Sequence, residues 1–167
     1  MSAPAKSAPT GFSAGQIRLH WIVFILIVLQ YVLHEPITEA WRAVSRGEEI
    51  AFNPLIASHV FGGILILLLV IWRLALRARR GAPAAPENEP AILKLAAAAT
   101  HLGLYALMVL MPVSGMAAWF GRVEAAAQAH AVMRIILLAL IVLHIVGALY
   151  HQFILKTDVL ARMKRPG

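Results

Sequence analysis

His130–His151 reads HAVMRIILLALIVLHIVGALYH, an apolar stretch with a histidine at each end and a third, His144, inside it. In a helix with a rise of about 1.5 Å per residue, His130 and His144 are separated by roughly 21 Å, just under four turns. Their side chains therefore point in nearly the same direction, one near each edge of a bilayer. A helix that offers one imidazole to each leaflet suits two stacked haems, and the partners must come from elsewhere in the chain.

The composition fits that setting. The chain has 167 residues, 60% of them hydrophobic and 14% charged, against about 25% charged in a soluble domain. There is no cysteine, which excludes disulfides, thiolate metal sites, iron–sulfur clusters and covalently attached haem. A haem here must be held by histidine or methionine. The net charge of +7 does not point to nucleic acid, because the basic residues gather at the ends of the apolar segments.

Four segments are long enough to cross a hydrocarbon core, which takes about twenty residues. They fall at 16–34, 54–77, 92–119 and 125–155. The stretch Glu35–Glu49 reads as a charged loop, and GAPAAPENEP (81–90) as a structureless linker. Residues 1–15 read as a disordered arm without a signal peptide, 16–155 as the membrane domain and 156–167 as a basic tail. Pro112 is expected to kink the third span. Basic residues dominate the N-terminal segment, the linker after the second span and the tail. The fold expected is all-α, an integral membrane four-helix bundle with both termini cytoplasmic.

An ionisable group inside a membrane helix is a functional candidate by default. Sidedness assigns His20, His101, His144 and His151 to the cytoplasmic half and His34, His59 and His130 to the outer half. The simplest pairing is His59 with His130 outside and His20 with His144 inside, all four as haem-iron ligands. Two imidazoles fill both axial positions and favour electron transfer. Gly62 and Gly63 follow His59 by three and four residues, and Gly147 follows His144 by three. They suit either a flat macrocycle against the backbone or close helix packing. A zinc site is disfavoured, because the histidines divide between two depths.

His151, nearly on the face of His144, could hydrogen-bond a quinone carbonyl and deliver a proton. His101 is a second residue for that pocket, or an alternative inner ligand. His34 reads as a structural residue at a helix end. Arg134, one turn from His130 on the same face, could snorkel outward to a haem propionate or attract an anionic substrate.

These features together resemble the bacterial cytochrome b561 family: R-L-H-W at 18–21, H-x-x-x-G from His59, H-L-x-x-Y at 101–105, P-V-S-G at 112–115, and His130 with His144. The resemblance spans about Gln16 to Arg165. It implies two haem b groups, exchange of electrons with ubiquinone, and His20, His59, His130 and His144 as ligands. His151 falls where superoxide oxidases of that group have a histidine linked to the quinone site. The activity so implied oxidises superoxide at the outer face and reduces quinone at the inner face of a bacterial inner membrane. The alternative is an electron-transfer subunit serving a periplasmic dehydrogenase or hydrogenase partner. The first outer loop is net acidic, and only Arg42, Arg46, Arg122 and Arg134 are available to attract an anion. A haem-free transporter or scaffold is the reading from another class.

Overall fold

The computed structural model describes residues 9–86 and 89–167. The arm expected at 1–15 therefore falls largely outside the described residues. Among the described residues there are five α-helices: α1 (Ala14–Val32), α2 (Glu35–Ser45), α3 (Pro54–Arg80), α4 (Ala91–Gly121) and α5 (Glu124–Phe153). A single 3-10 turn follows at Ala161–Met163. All except α2 and the 3-10 turn are long and apolar enough to cross a membrane. The protein is an all-helical, multi-pass membrane protein.

The stretch Glu35–Glu49 is not simply a loop, and this corrects the reading from sequence. Pro36 in the first turn and Glu35 at the helix start favour a helix there. Ile37, Ala40, Trp41 and Val44 recur at helical spacing. Ala40 is buried, and α2 packs against α3. The second and third spans also extend beyond the expected bounds, whereas the first and fourth end two residues short of them. α3 runs three residues further through its arginines, and α4 continues through the buried Pro112 to Gly121.

Helix ends are set by identifiable groups. Ser13 and Gln16 form a reciprocal capping box at the start of α1. Gln16 Nε2 also donates to the Gly81 carbonyl at 3.0 Å, tying the start of α1 to the end of α3. Asn53 caps α3. At the same end of the bundle, Trp21 Nε1 donates to the Met163 carbonyl at 2.9 Å and Arg162 Nη1 to the Ala84 carbonyl at 2.8 Å. The Gly167 N–H reaches the Phe12 carbonyl at 3.2 Å, so the tail folds across the start of the chain.

Lipid is as apolar as leucine, so helices in it associate through close packing rather than water exclusion. The interior is accordingly small. Val23, Ile27, Ile66 and the fully buried Val70 join α1 to α3, and Leu104, Leu107 and Leu137 join α4 to α5. Tyr31, Met108 and Ile141 pack against both groups. On each helix these residues lie between its outer and inner polar positions, forming an apolar middle layer. Among the described residues α5 packs chiefly against α4. Its faces toward α1 and α3 are spanned by side chains instead, and these carry the histidines.

Candidate functional site

At one end, α3 and α5 bring His59 and His130 opposite each other, with ring centres 6.5 Å apart and ring planes inclined at 64°. At the other, α1 and α5 bring His20 and His144 to 6.2 Å. Two imidazoles on opposite sides of one metal, with bonds of about 2 Å and about 1.1 Å from ring nitrogen to centre, place ring centres roughly 6.3 Å apart. Both pairs could therefore hold a metal between them. His101 on α4 stands 5.2 Å from His144, too close for that arrangement, and so joins the inner cluster as a neighbour.

The outer pair lines a cavity shared by α1, α3, α4 and α5, walled by Ile27, Gln30, Ile66 and Met108 among others. His130 is oriented by α4: its Nδ1–H donates to the Met111 carbonyl at 2.9 Å and lies 3.1 Å from Ser114 Oγ. Ser114 Oγ–H donates to the same carbonyl at 2.9 Å. A backbone carbonyl can only accept, so the proton sits on Nδ1 and leaves Nε2 with its lone pair directed away. Gly115 completes this seat, because a Cβ there would stand 3.2 Å from His130 Cε1. The P-V-S-G sequence is thus a mould for the His130 ring.

On α3 the local arrangement differs. Gln30 Nε2 donates to the His59 carbonyl at 3.1 Å. A Cβ on Gly62 would collide with Gln30 Nε2, so this glycine admits Gln30. Gly63 lines the cavity, and a Cβ there or on Gly147 would meet nothing within 4 Å. His59 Nδ1 and Gln30 Oε1 are buried without a hydrogen-bond partner among the described residues. A buried, unpaired ring nitrogen beside a cavity is costly unless a bound group completes the site.

Arg134 reaches the same cavity. Its backbone carbonyl accepts from Tyr31 Oη at 2.6 Å, while its guanidinium has no hydrogen bond or ion pair among the described residues. Arg46 and Arg122 are engaged, whereas the guanidinium of Arg42 on α2, like that of Arg134, has no hydrogen bond or ion pair among the described residues. Arg46 Nε bonds Glu48 at 2.6 Å and holds that carboxyl below its usual range, and Arg122 lies over the Trp119 ring at 5.7 Å. His34 also borders the cavity, its Nδ1–H donating to the Tyr31 carbonyl at 2.8 Å.

The inner cluster is basic. Arg73 Nε donates to Tyr105 Oη at 3.0 Å, and Arg73 and Arg77 both lie over the Tyr105 ring. Arg73 is within electrostatic range of His20, His101 and His144. His151 lies apart, with both ring nitrogens engaged. Nε2 meets Glu89 Oε1 at 3.0 Å and Nδ1 meets Thr157 Oγ1 at 3.0 Å. Lys156, at φ +53°, turns the chain back so that Thr157 can reach His151.

Sequence reasoning found the histidines and Arg134 but not Gln30, Tyr31, Glu89, Gly115 or Thr157 as members of these sites. Only P-V-S-G carried a signal, as part of a motif.

Comparison with known proteins follows this geometry. Residues 11–166 match the family model for prokaryotic cytochrome b561. The chain belongs to that family. It is 35% identical over 156 residues to cytochrome b562 of Cereibacter sphaeroides, covering 93% of this chain and 96% of the relative. It is 27% identical over 180 residues to the probable superoxide oxidase CybB of Yersinia pestis, covering 91% and 94%. Cytochrome b561 homolog 1 of Escherichia coli K12 is 27% identical over 106 residues, covering 64% of this chain and 57% of that one. The protein is thus a membrane cytochrome of the haem b type, and the paired imidazoles suit that cofactor.

Proposed function

We propose that this cytochrome b561 is a di-haem superoxide:ubiquinone oxidoreductase of the bacterial inner membrane, with both termini in the cytoplasm. The observation that carries the reading is the presence of two histidine pairs, at 6.5 and 6.2 Å, toward opposite ends of α5. The similarity to a probable superoxide oxidase supports the choice of donor. Sidedness rests on charge. Arg77, Arg79 and Arg80 share one end with the tail's Lys156, Arg162, Lys164 and Arg165, whereas Glu35, Glu39, Glu48, Glu49 and Glu124 lie at the other.

In this reading His59 with His130, and His20 with His144, would each hold one haem b group. Bound haem supplies one-electron redox chemistry. Gly63 and Gly147 leave room beside the ligands, whereas Gly62 acts through Gln30. Met111 and Ser114 fix the His130 ring so that Nε2 stays available. Arg134 presents an unpaired guanidinium to the outer cavity and attracts the superoxide anion, which leaves as O₂ after giving up one electron. His151 serves the quinone site on the inner side, with His101, beside His144, as a second residue for it, and there two electrons and two protons convert quinone to quinol.

The purified protein tests this directly. Two b-type haems per chain and superoxide-driven reduction of a ubiquinone analogue are expected. A single haem would overturn one ligand pair. Two haems without superoxide-driven turnover would overturn the donor.

A second reading, an electron-transfer subunit fed by a periplasmic redox partner, is favoured by one observation. The outer surface carries a polar hollow lined by Trp41, Glu48, Arg122 and Glu124, between α2 and the α4–α5 junction. Copurification of a redox subunit, lost when Trp41 is changed to Glu, would support it.

A further inference from the structure

We propose that Glu89, His151 and Thr157 form a proton-delivery chain into the inner site, with Glu89 as its entry carboxyl. The inference rests on the reading of that end as the quinone-reducing one.

The linker GAPAAPENEP carries an acid that composition alone gives no reason to bury. Yet the Glu89 side chain is only 4% exposed and His151 only 13%. Burying a carboxylate is expensive unless it is paired and hydrogen-bonded. Here the partner is an imidazole at 3.0 Å, on a helix that also carries His144. The other histidine–carboxylate pair, His34 with Glu35, is longer at 3.8 Å, largely exposed on its acid, and at the opposite end.

The geometry around His151 defines what the group can do. With Glu89 on Nε2 and Thr157 on Nδ1, neither ring nitrogen is free to bond a quinone directly. The imidazole instead bridges a carboxyl and a hydroxyl. Thr157 is held in place by its own N–H, which donates to the His151 carbonyl at 3.0 Å. A proton arriving on Glu89 passes to Nε2, the Nδ1 proton moves to Thr157 Oγ, and the hydroxyl releases its own proton onward. The imidazole then returns to its starting tautomer before the next transfer. Two such deliveries, with two electrons from the outer donor, convert quinone to quinol and leave no unbalanced charge on the chain.

Glu89→Gln keeps the shape and the hydrogen bond but carries no acid proton. In the haem-loaded protein, superoxide-driven haem reduction is expected to proceed at the wild-type rate while quinol formation slows about 10²-fold. Added acetate is expected to restore much of that rate, a rescue that repair of a merely structural contact would not give. Glu89→Asp should retain intermediate activity. Wild-type quinol formation in Glu89→Gln, or a loss that acetate does not relieve, would overturn the relay. A lower KM for quinone in Glu89→Gln would likewise overturn it and make the carboxylate a plug.

Failure of the functional reading is distinguished by the wild type, which would then load haem but form no quinol. In that case a reduced-minus-oxidised infrared spectrum decides the relay: a carboxyl band lost in Glu89→Gln supports it, and no such band overturns it.

Discussion

Gly115 and His130 touch across α4 and α5, so that a Cβ on the glycine would stand 3.2 Å from His130 Cε1. That spacing is tight for one methyl group and leaves no room for a branched side chain. Gly115→Val should therefore displace the ring from the Met111 carbonyl and cost the outer haem. Haem content should fall from about two to about one per chain, read by pyridine haemochrome. Gly63→Ala, where a Cβ meets nothing, should lose far less unless the bound macrocycle fills that space.

Ring spacing at the inner end makes a sharper distinction. His20→Ala and His144→Ala should each remove the inner haem, whereas His101→Ala should keep both haems and shift only the potential of one. Redox titration followed optically separates these outcomes. Loss of the inner haem in His101→Ala would transfer the ligand role to it.

Arg134 is expected to act through charge at a distance. Arg134→Gln should slow the reaction with superoxide by about tenfold at low ionic strength and flatten its salt dependence. Reduction by a neutral reductant should change little. Equal losses with both donors would assign the arginine to architecture alone.

The tail offers a pH-dependent feature. Arg162, hydrogen-bonded to Asp158 at 2.8 Å, holds that carboxyl below its ordinary value of 3.8. The contribution to tail docking is therefore present above that ordinary value and is lost as pH falls through the lowered one. Asp158 is exposed, so the effect is local. Asp158→Asn should speed tryptic cleavage after the half-buried Arg162 at neutral pH while haem content stays unchanged.

The spans and the histidines that pair across the bundle were legible because a membrane imposes simple rules. Long apolar runs must be helices, and a histidine inside one needs a reason. α2 was missed although Ile37, Ala40, Trp41 and Val44 carry its pattern, because the charges around them drew the reading toward a loop. The seat of His130 was hidden for a different reason. Met111 and Gly115 lie nineteen and fifteen residues away, on another helix, and nothing local marks them. Glu89 lies in GAPAAPENEP, a stretch whose composition reads as a structureless linker. Its burial depends on where the end of α5 and the turn at Lys156 lie in space.

The apolar layer of Val23, Ile27, Ile66, Val70, Leu104, Leu107 and Leu137 separates the outer histidine pair from the inner one. On the proposed sidedness, electrons taken outside meet protons drawn from the cytoplasm. Each electron crossing moves one negative charge inward and consumes one internal proton. Turnover is therefore electrogenic in the same sense as respiration, and each crossing works against about 2.3 kcal/mol per 100 mV of existing potential. A detoxifying reaction at the surface would in this way help to energise the membrane beneath it.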